Sequence, residues 1–154
     1  MKKILFINGH LNAGGVERSL VDVLKHMDYT KYVVDLLLLE DTGDYASELP
    51  PEVNALFRDI HHTYGSFVSS IRRCIVAHDW MSLRLRFLFL LQKLFGEYVL
   101  KPAATILLGK HHYDCVIGFR PGICSDLAAY SAQADRKITW WHHGEFNVDR
   151  AAYG

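Results

Sequence analysis

The amino-terminal stretch leaves the chain little freedom. Lys3–Asn8 is an apolar run closed by Gly9. It is too short for a helix and suits a strand buried on both faces, as parallel sheets require. A polar turn follows, His10-Leu11-Asn12-Ala13-Gly14-Gly15. Val16, Leu20, Val23, Leu24 and Met27 then recur at helical spacing and form one apolar face. Glu17 stands in the first turn, where the helix dipole favours an acid. Tyr32–Leu39 is a second apolar run. A strand, a helix and a strand joined by short connections dictate parallel pairing with a right-handed crossover.

The remaining sequence extends that unit. Glu40–Pro51 reads as a loop with one helical turn at Tyr45–Leu49, because Pro50-Pro51 bars a longer helix. Val53–Phe57 is the third expected strand and Arg58–Ser66 a polar loop. Helices are expected over Phe67–His78 and Trp80–Leu100, with Pro102 breaking or kinking the second and Ala103–Lys110 continuing it. Cys115–Phe119 is strand four, Ile123–Ala134 a helix, Lys137–Trp141 strand five, and Asp149 starts a further helix. The fold class is α/β, with a Rossmann-like parallel sheet flanked by helices on both faces. At 154 residues, one domain over 1–154 is expected, with no internal repeat or low-complexity linker.

Composition narrows the function. Half of the residues are apolar, which excludes a disordered chain. Basic and acidic residues balance at 17 each, so the whole chain offers no polybasic signal for nucleic acid. That balance is a cancellation: residues 67–110 carry +5, residues 1–66 carry −4 and residues 111–154 carry −1. Ile4–Ile7 is shorter than a signal-peptide core of roughly 7–15 apolar residues. No run reaches the roughly 18–20 of a membrane span. The expected location is the cytoplasm, with a peripheral position at the inner face of the membrane. Cys74, Cys115 and Cys124 are odd in number and lack C-x-x-C spacing, so they read as reduced thiols filling small apolar sites.

The basic stretch coincides with the most apolar helix. Leu83, Phe87, Leu90, Leu91, Leu94 and Tyr98 share one face of Trp80–Leu100. Leu85, Leu88, Phe89, Phe95, Val99 and Leu100 carry apolar surface around the rest, leaving Arg86, Lys93 and Glu97 as a narrow polar stripe. Such a helix is either core or a surface that meets membrane or a lipid-linked substrate. On the second reading Arg84, Arg86, Phe87 and Lys93 face the membrane, with the basic side chains reaching to headgroups.

In open α/β sheets ligands bind outside the carboxyl ends of the strands. That rule selects three loops: Asn8–Gly15, Gly118–Gly122 and His142–Phe146. Gly14-Gly15 opens a helix after a strand, where exposed amides and the helix dipole suit phosphate. The spacing is neither G-x-G-x-x-G nor G-K-[S/T], so a plain strand-to-helix turn is the alternative. His142-His143-Gly144 ends a strand, where a histidine can act as base or hydrogen-bond donor. Neighbouring strand residues point to opposite faces, so only one of the two histidines is expected at a site. None of the three His-His pairs has zinc-like spacing, and no metal or cofactor is expected.

These residues resemble glycosyltransferase family 4. Phe6–Leu20, with its Gly14-Gly15-Val16-Glu17 core, looks like that family's first strand, glycine loop and first helix. Tyr32–Leu39, followed by Gly43 and Leu49-Pro50, is similar to its second strand and the loop after it. Tyr113–Phe119 resembles its Y-D-hydrophobic strand, and Lys137–Phe146 its strand ending in W-x-H. The resemblance implies the acceptor-side, amino-terminal half of a two-domain GT-B fold and a retaining transferase. The substrates would be a nucleotide-sugar donor and a saccharide or lipid-linked acceptor in polysaccharide or glycolipid assembly. It implies Gly14 and Gly15 facing the donor diphosphate. The W-x-H histidine falls at His142, or at His143 if the His-Gly pair is aligned instead. Asn12, Glu17, Arg18, Gly118, Arg120 and Gly144 become the acceptor or cleft residues. The donor domain and its E-x7-E motif are not in this sequence, so the chain is expected to be an incomplete fragment, inactive by itself. The alternatives are a non-catalytic partner subunit and a stand-alone Rossmann-like binding module.

Overall fold

The computed structural model describes residues 1–40, 43–109, 111–130 and 134–142, and only the backbone of His61, Lys93, Glu97 and Tyr98. β1 (Lys2–Asn8) lies between β2 (Tyr32–Leu38) and β4 (Tyr113–Gly118). β3 (Asn54–Phe57) and β5 (Ala134–Thr139) complete a parallel sheet of order β3-β2-β1-β4-β5. The register sets Phe6 beside Leu36 on one side and Ile117 on the other. The sheet with its flanking helices is a Rossmann-like α/β arrangement.

Both faces of the central strands are covered, which is why those strands read as unbroken apolar runs. On one face Phe6, Val34, Leu36, Leu38 and Ile117 pack against Leu20, Val21 and Leu24 of α1 (Gly15–Lys25). On the other, Leu5, Ile7, Leu37 and Val116 meet three helices. These are α3 (Trp80–Phe95, through Leu85), α4 (Leu100–Leu108, through Ala103, Ala104 and Leu107) and α5 (Ile123–Tyr130, through Cys124, Leu127 and Ala128). Each fully buried leucine contributes roughly 1.5–3 kcal/mol relative to an exposed one. α2 (Phe67–Val76) packs on α3 and forms a hairpin with it.

The long helix divides at Gly96, not at Pro102. Gly96 takes φ +65°, a backbone conformation that side chains other than glycine rarely adopt, and ends α3. Pro102 lies in the first turn of α4, where its missing amide hydrogen is not needed. β4 starts at Tyr113 because the tyrosine ring is buried in the core and its hydroxyl donates to Asp35 Oδ2 at 2.7 Å. β5 starts at Ala134, earlier than its apolar content suggests and at a residue expected to end the preceding helix, and α5 is described over Ile123–Tyr130. β5 lies at the sheet edge, where Asp135, Arg136 and Lys137 join the ladder through their backbones and leave their side chains in water. The helix expected from Asp149 lies outside the described residues.

Candidate functional site

Strand order reverses between β1 and β4. β1 leads through α1 to β2 on one side, and β4 leads through α5 to β5 on the other. The carboxyl ends of β1 and β4 therefore open a crevice, the usual ligand position in such sheets. Phe119 N donates to Ile7 O at 2.9 Å and Trp140 N to Gly118 O at 2.8 Å, so the pairing continues to the crevice rim.

The loop after β1 is held by its neighbours. Gly9 O accepts from Leu39 N and Glu40 N, Leu11 O accepts from Tyr45 N, and Ala13 N donates to Asp44 Oδ2 at 2.7 Å. A Cβ at Gly43 would overlap the Leu11 backbone, so that close approach needs glycine. This fixes where α1 begins and where its amides point.

At the crevice the fold joins residues far apart in sequence. Arg120 Nη1, from the turn after β4, donates to His10 Nε2 at 2.8 Å and lies 3.4 Å from Glu17 Oε1. His10 Nδ1 stands 3.8 Å from the same carboxylate oxygen. Since a guanidinium only donates, His10 Nε2 accepts from Arg120, and the Asn12 backbone amide approaches Nδ1 at 3.3 Å. The Glu17 side chain is only 5% exposed, whereas Arg120 is 42% exposed. A buried carboxylate needs such compensation, and it gains from Arg120 and from the amino end of α1. The exposed part of the Arg120 fork faces solvent, ready for an oxygen acceptor.

A fourth residue belongs to this group. Asn8, at the end of β1, is fully buried; its Nδ2 donates to His10 O at 2.7 Å and holds the loop. Its Oδ1 has no hydrogen-bond partner among the described residues. His10 and Asn8 were not distinguishable from other loop residues in the sequence. The available signal was their place: the last residue of the central strand and the second after it.

The two loop glycines differ. Gly14 is the extended N-cap of α1, and a Cβ there would overlap Glu17 Oε2. A Cβ at Gly15 would meet nothing within 4 Å, so the space over it is open. Gly118 has a packing reason: its Cβ would come 2.6 Å from Cys124 O and 2.8 Å from Ser125 Cα. Arg18 is not part of the cluster. It lies on the flank of α1, 3.2 Å from Glu48 and 3.4 Å from Asp22, with its guanidinium over the Tyr45 ring.

His142 joins the crevice from the β5 side. Its Nε2–H donates to Phe119 O at 3.1 Å. Its ring stacks on Trp140 at 11° between planes and lies 4.7 Å from the Phe119 ring centre. Phe119 in turn contacts Phe6 and Trp140, so this imidazole rests on an aromatic floor. His143 and Gly144 lie outside the described residues. The thiols offer no nucleophile here: burial pushes Cys124 up to about 12, and raises Cys74 and Cys115 as well.

Of the four residues expected to face a membrane, Arg84 and Phe87 are exposed. Arg86 is half-buried, with Nε donating to Ser70 Oγ at 2.8 Å and Nη2 to Gly65 O at 2.9 Å, so it braces the hairpin. The Lys93 side chain is outside the description.

The crevice thus offers a guanidinium, a carboxylate and two imidazoles beside open helix amides and an aromatic surface. Such a set can hold a ligand with anionic and hydroxyl groups on one side and apolar C–H faces on the other. Comparison with protein-family models, with curated protein sequences and with solved structures finds no match.

Proposed function

We propose that this chain is the acceptor-side domain of a retaining, nucleotide-sugar-dependent glycosyltransferase of the family 4 type, acting on a polysaccharide or glycolipid acceptor. The observation that carries the reading is the Arg120–His10–Glu17 cluster beside the open amide end of α1, at the point where strand order reverses. In this reading the donor diphosphate lies over Gly15 rather than Gly14, because the Glu17 carboxylate occupies the space beside Gly14. Arg120 offsets that negative charge and reaches toward the acceptor or the departing diphosphate. His142 accepts a hydrogen bond from a hydroxyl of the reacting sugar, held in place by Trp140 and Phe119. The chemistry is positioning and electrostatic stabilisation of the leaving group. A donor-binding half, in further sequence or in a separate polypeptide, completes the cleft.

The test measures sugar transfer from a panel of nucleotide-sugars to saccharide and lipid-linked acceptors, with the chain joined to that half and with the chain alone. The joined protein is expected to transfer and the isolated chain is not. Arg120→Ala is expected to lower turnover about a hundredfold, the scale of one lost transition-state hydrogen-bond donor, and His142→Ala to lower it through loss of the Nδ1 acceptor for a sugar hydroxyl. Unchanged turnover in both variants would sink their roles. Nucleotide binding by the isolated chain, with no transfer in any combination, would favour a stand-alone binding module.

A further inference from the structure

The crevice cluster holds one cation and one anion, together with a third group that can gain a charge. Arg120 and Glu17 are 3.4 Å apart, and His10 stands against both. His10 Nε2 accepts from Arg120 Nη1 at 2.8 Å, and Nδ1 is 3.8 Å from Glu17 Oε1. A neutral imidazole accepts at one ring nitrogen and an imidazolium at neither. The Arg120–His10 hydrogen bond therefore exists only while His10 is uncharged. Imidazole is the side chain whose charge changes between about pH 5 and pH 8. Exposure grades the three groups: the Glu17 side chain is buried, His10 is 22% exposed and Arg120 is 42% exposed.

A charge count gives the consequence. With His10 neutral, Arg120 compensates Glu17 and donates to His10, so the cluster is balanced and the guanidinium engaged. With His10 protonated, the cluster holds two cations and one buried anion. The imidazolium then repels the guanidinium beside it and has the Glu17 carboxylate within ion-pair distance. A buried carboxylate needs one compensating cation, and the less exposed one serves it at the smaller cost. Arg120, the more exposed cation, becomes the surplus. The other titratable groups at the crevice are Glu40, whose amide donates to Gly9 O, and Asp44, which accepts from Ala13 N. Asp126 stands in the first turn of α5, and His142 donates to Phe119 O. Of these, only His142 shares the chemistry of His10, so the two must be separated by experiment.

We propose that His10 is a proton switch for Arg120. Uptake of one proton from solvent moves the pairing of Glu17 from Arg120 to His10 and frees the guanidinium for a doubly charged oxyanion. Anion binding in the crevice is thereby coupled to protonation of His10. The inference rests on the crevice being an anion site, as the transferase reading has it, and adds the regulation of that site. The coupling is reciprocal, so a bound anion holds the proton on His10. A diphosphate there binds more tightly in acid and leaves more readily as pH rises.

The experiment is calorimetric titration of sulfate into the 154-residue chain at about pH 8 and about pH 5.5, at constant ionic strength. Sulfate does not titrate over that range, so a change in affinity belongs to the protein. Affinity is expected to rise about tenfold at the lower pH, within the usual range of coupling between two sites. His10→Gln keeps an acceptor for Arg120 but takes up no proton, and is expected to bind equally weakly at both. Glu17→Gln removes the competing anion and is expected to bind at the higher pH about as well as the parent does at the lower. Arg120→Gln is expected to lose binding at both. His142→Gln is expected to keep the ratio between the two conditions, whatever its affinity. In the parent, sulfate is expected to hold the His10 ring protonated to higher pH, read by proton NMR, and in Arg120→Gln it is not. A parent folded by circular dichroism that binds sulfate equally at both, or at neither, would overturn the proposal. So would a pH dependence that survives His10→Gln or disappears in His142→Gln. Coupled sulfate binding without sugar transfer by the joined protein would leave the switch standing and sink the transferase reading, and transfer without coupling would do the reverse.

Discussion

α1 and α3 both lie on the sheet, on opposite faces, yet they divide their apolar residues differently. In α1 the apolar positions form one stripe, and Leu20, Val21 and Leu24 bury it fully. Its outer flank is charged, with Arg18 and Lys25 both paired to Glu48. In α3 the inner face is core through Leu85, while Phe87, Leu91 and Leu94 remain in water. The helices also start differently. α1 begins on Gly14 with no side-chain cap, whereas Asp79 Oδ1 accepts from Ser82 N at 3.0 Å and caps α3. Apolar content alone is thus a poor guide to burial: a helix needs one apolar stripe to hold the fold, and a second stripe is available for something else.

The contrast can be broken by substitution, read as urea unfolding free energies. Leu24→Ala and Leu85→Ala, one on each helix's buried face, are each expected to cost about 3 kcal/mol. If either cost under about 1 kcal/mol, that helix would not be part of the core as described. Asp79→Ala is expected to cost about 1 kcal/mol through the lost cap of α3. Its pH dependence has a definite sign. Burial, the largest influence, raises the Asp79 carboxyl, but the polar contacts from Ser82, whose amide donates to Oδ1, and from His62 outweigh it and leave it below the usual range. A lowered carboxyl contributes stability above the unfolded value near about 4, and that stability is lost as pH falls through the folded value. The gap between Asp79→Ala and the parent should therefore narrow on acidification. A gap that widens below pH of about 4 would refute the assignment.

Smaller effects sharpen the same comparison. Gly15→Ala, at the open first position of α1, is expected to stabilise by about 0.5 kcal/mol, because the site has room and alanine favours the helix. The same variant should weaken any ligand that rests on the Gly15 amide, which separates a phosphate-facing glycine from a plain turn. Leu94→Ala is expected to change stability by less than about 0.5 kcal/mol, since its side chain is already in water. A cost near that of Leu24→Ala would mean that α3's outer face is packed after all.

Most of the fold was legible because burial on two faces leaves a plain signature. Lys3–Asn8 and Tyr32–Leu39 could hardly be anything but inner strands, and Gly14-Gly15 before an amphipathic run marked the start of α1. Legibility ended where side chains stop reporting the backbone. β5 keeps its ladder under Asp135, Arg136 and Lys137, so its start was hidden. The break in the long helix followed backbone freedom at Gly96 instead of the missing amide at Pro102. In the crevice, Glu17 and Arg120 were named from the loops they border and from the family resemblance, but their meeting through His10 spans more than a hundred residues of chain. No local pattern encodes such a contact.

The sequence by itself determined the class of the molecule, because alternating short apolar runs and amphipathic stretches have few ways to bury their faces other than a parallel sheet between helices. It also concentrated positive charge on the most apolar segment. Only the tertiary structure decided which face of α3 is core and which is free, since that depends on where α4 and the sheet lie. It alone decided that Arg120 compensates Glu17, that Arg18 does not, and that Gly118 serves packing. Such pairings are set by distances across the fold, and those exist only once the sheet has brought the ends of β1 and β4 together.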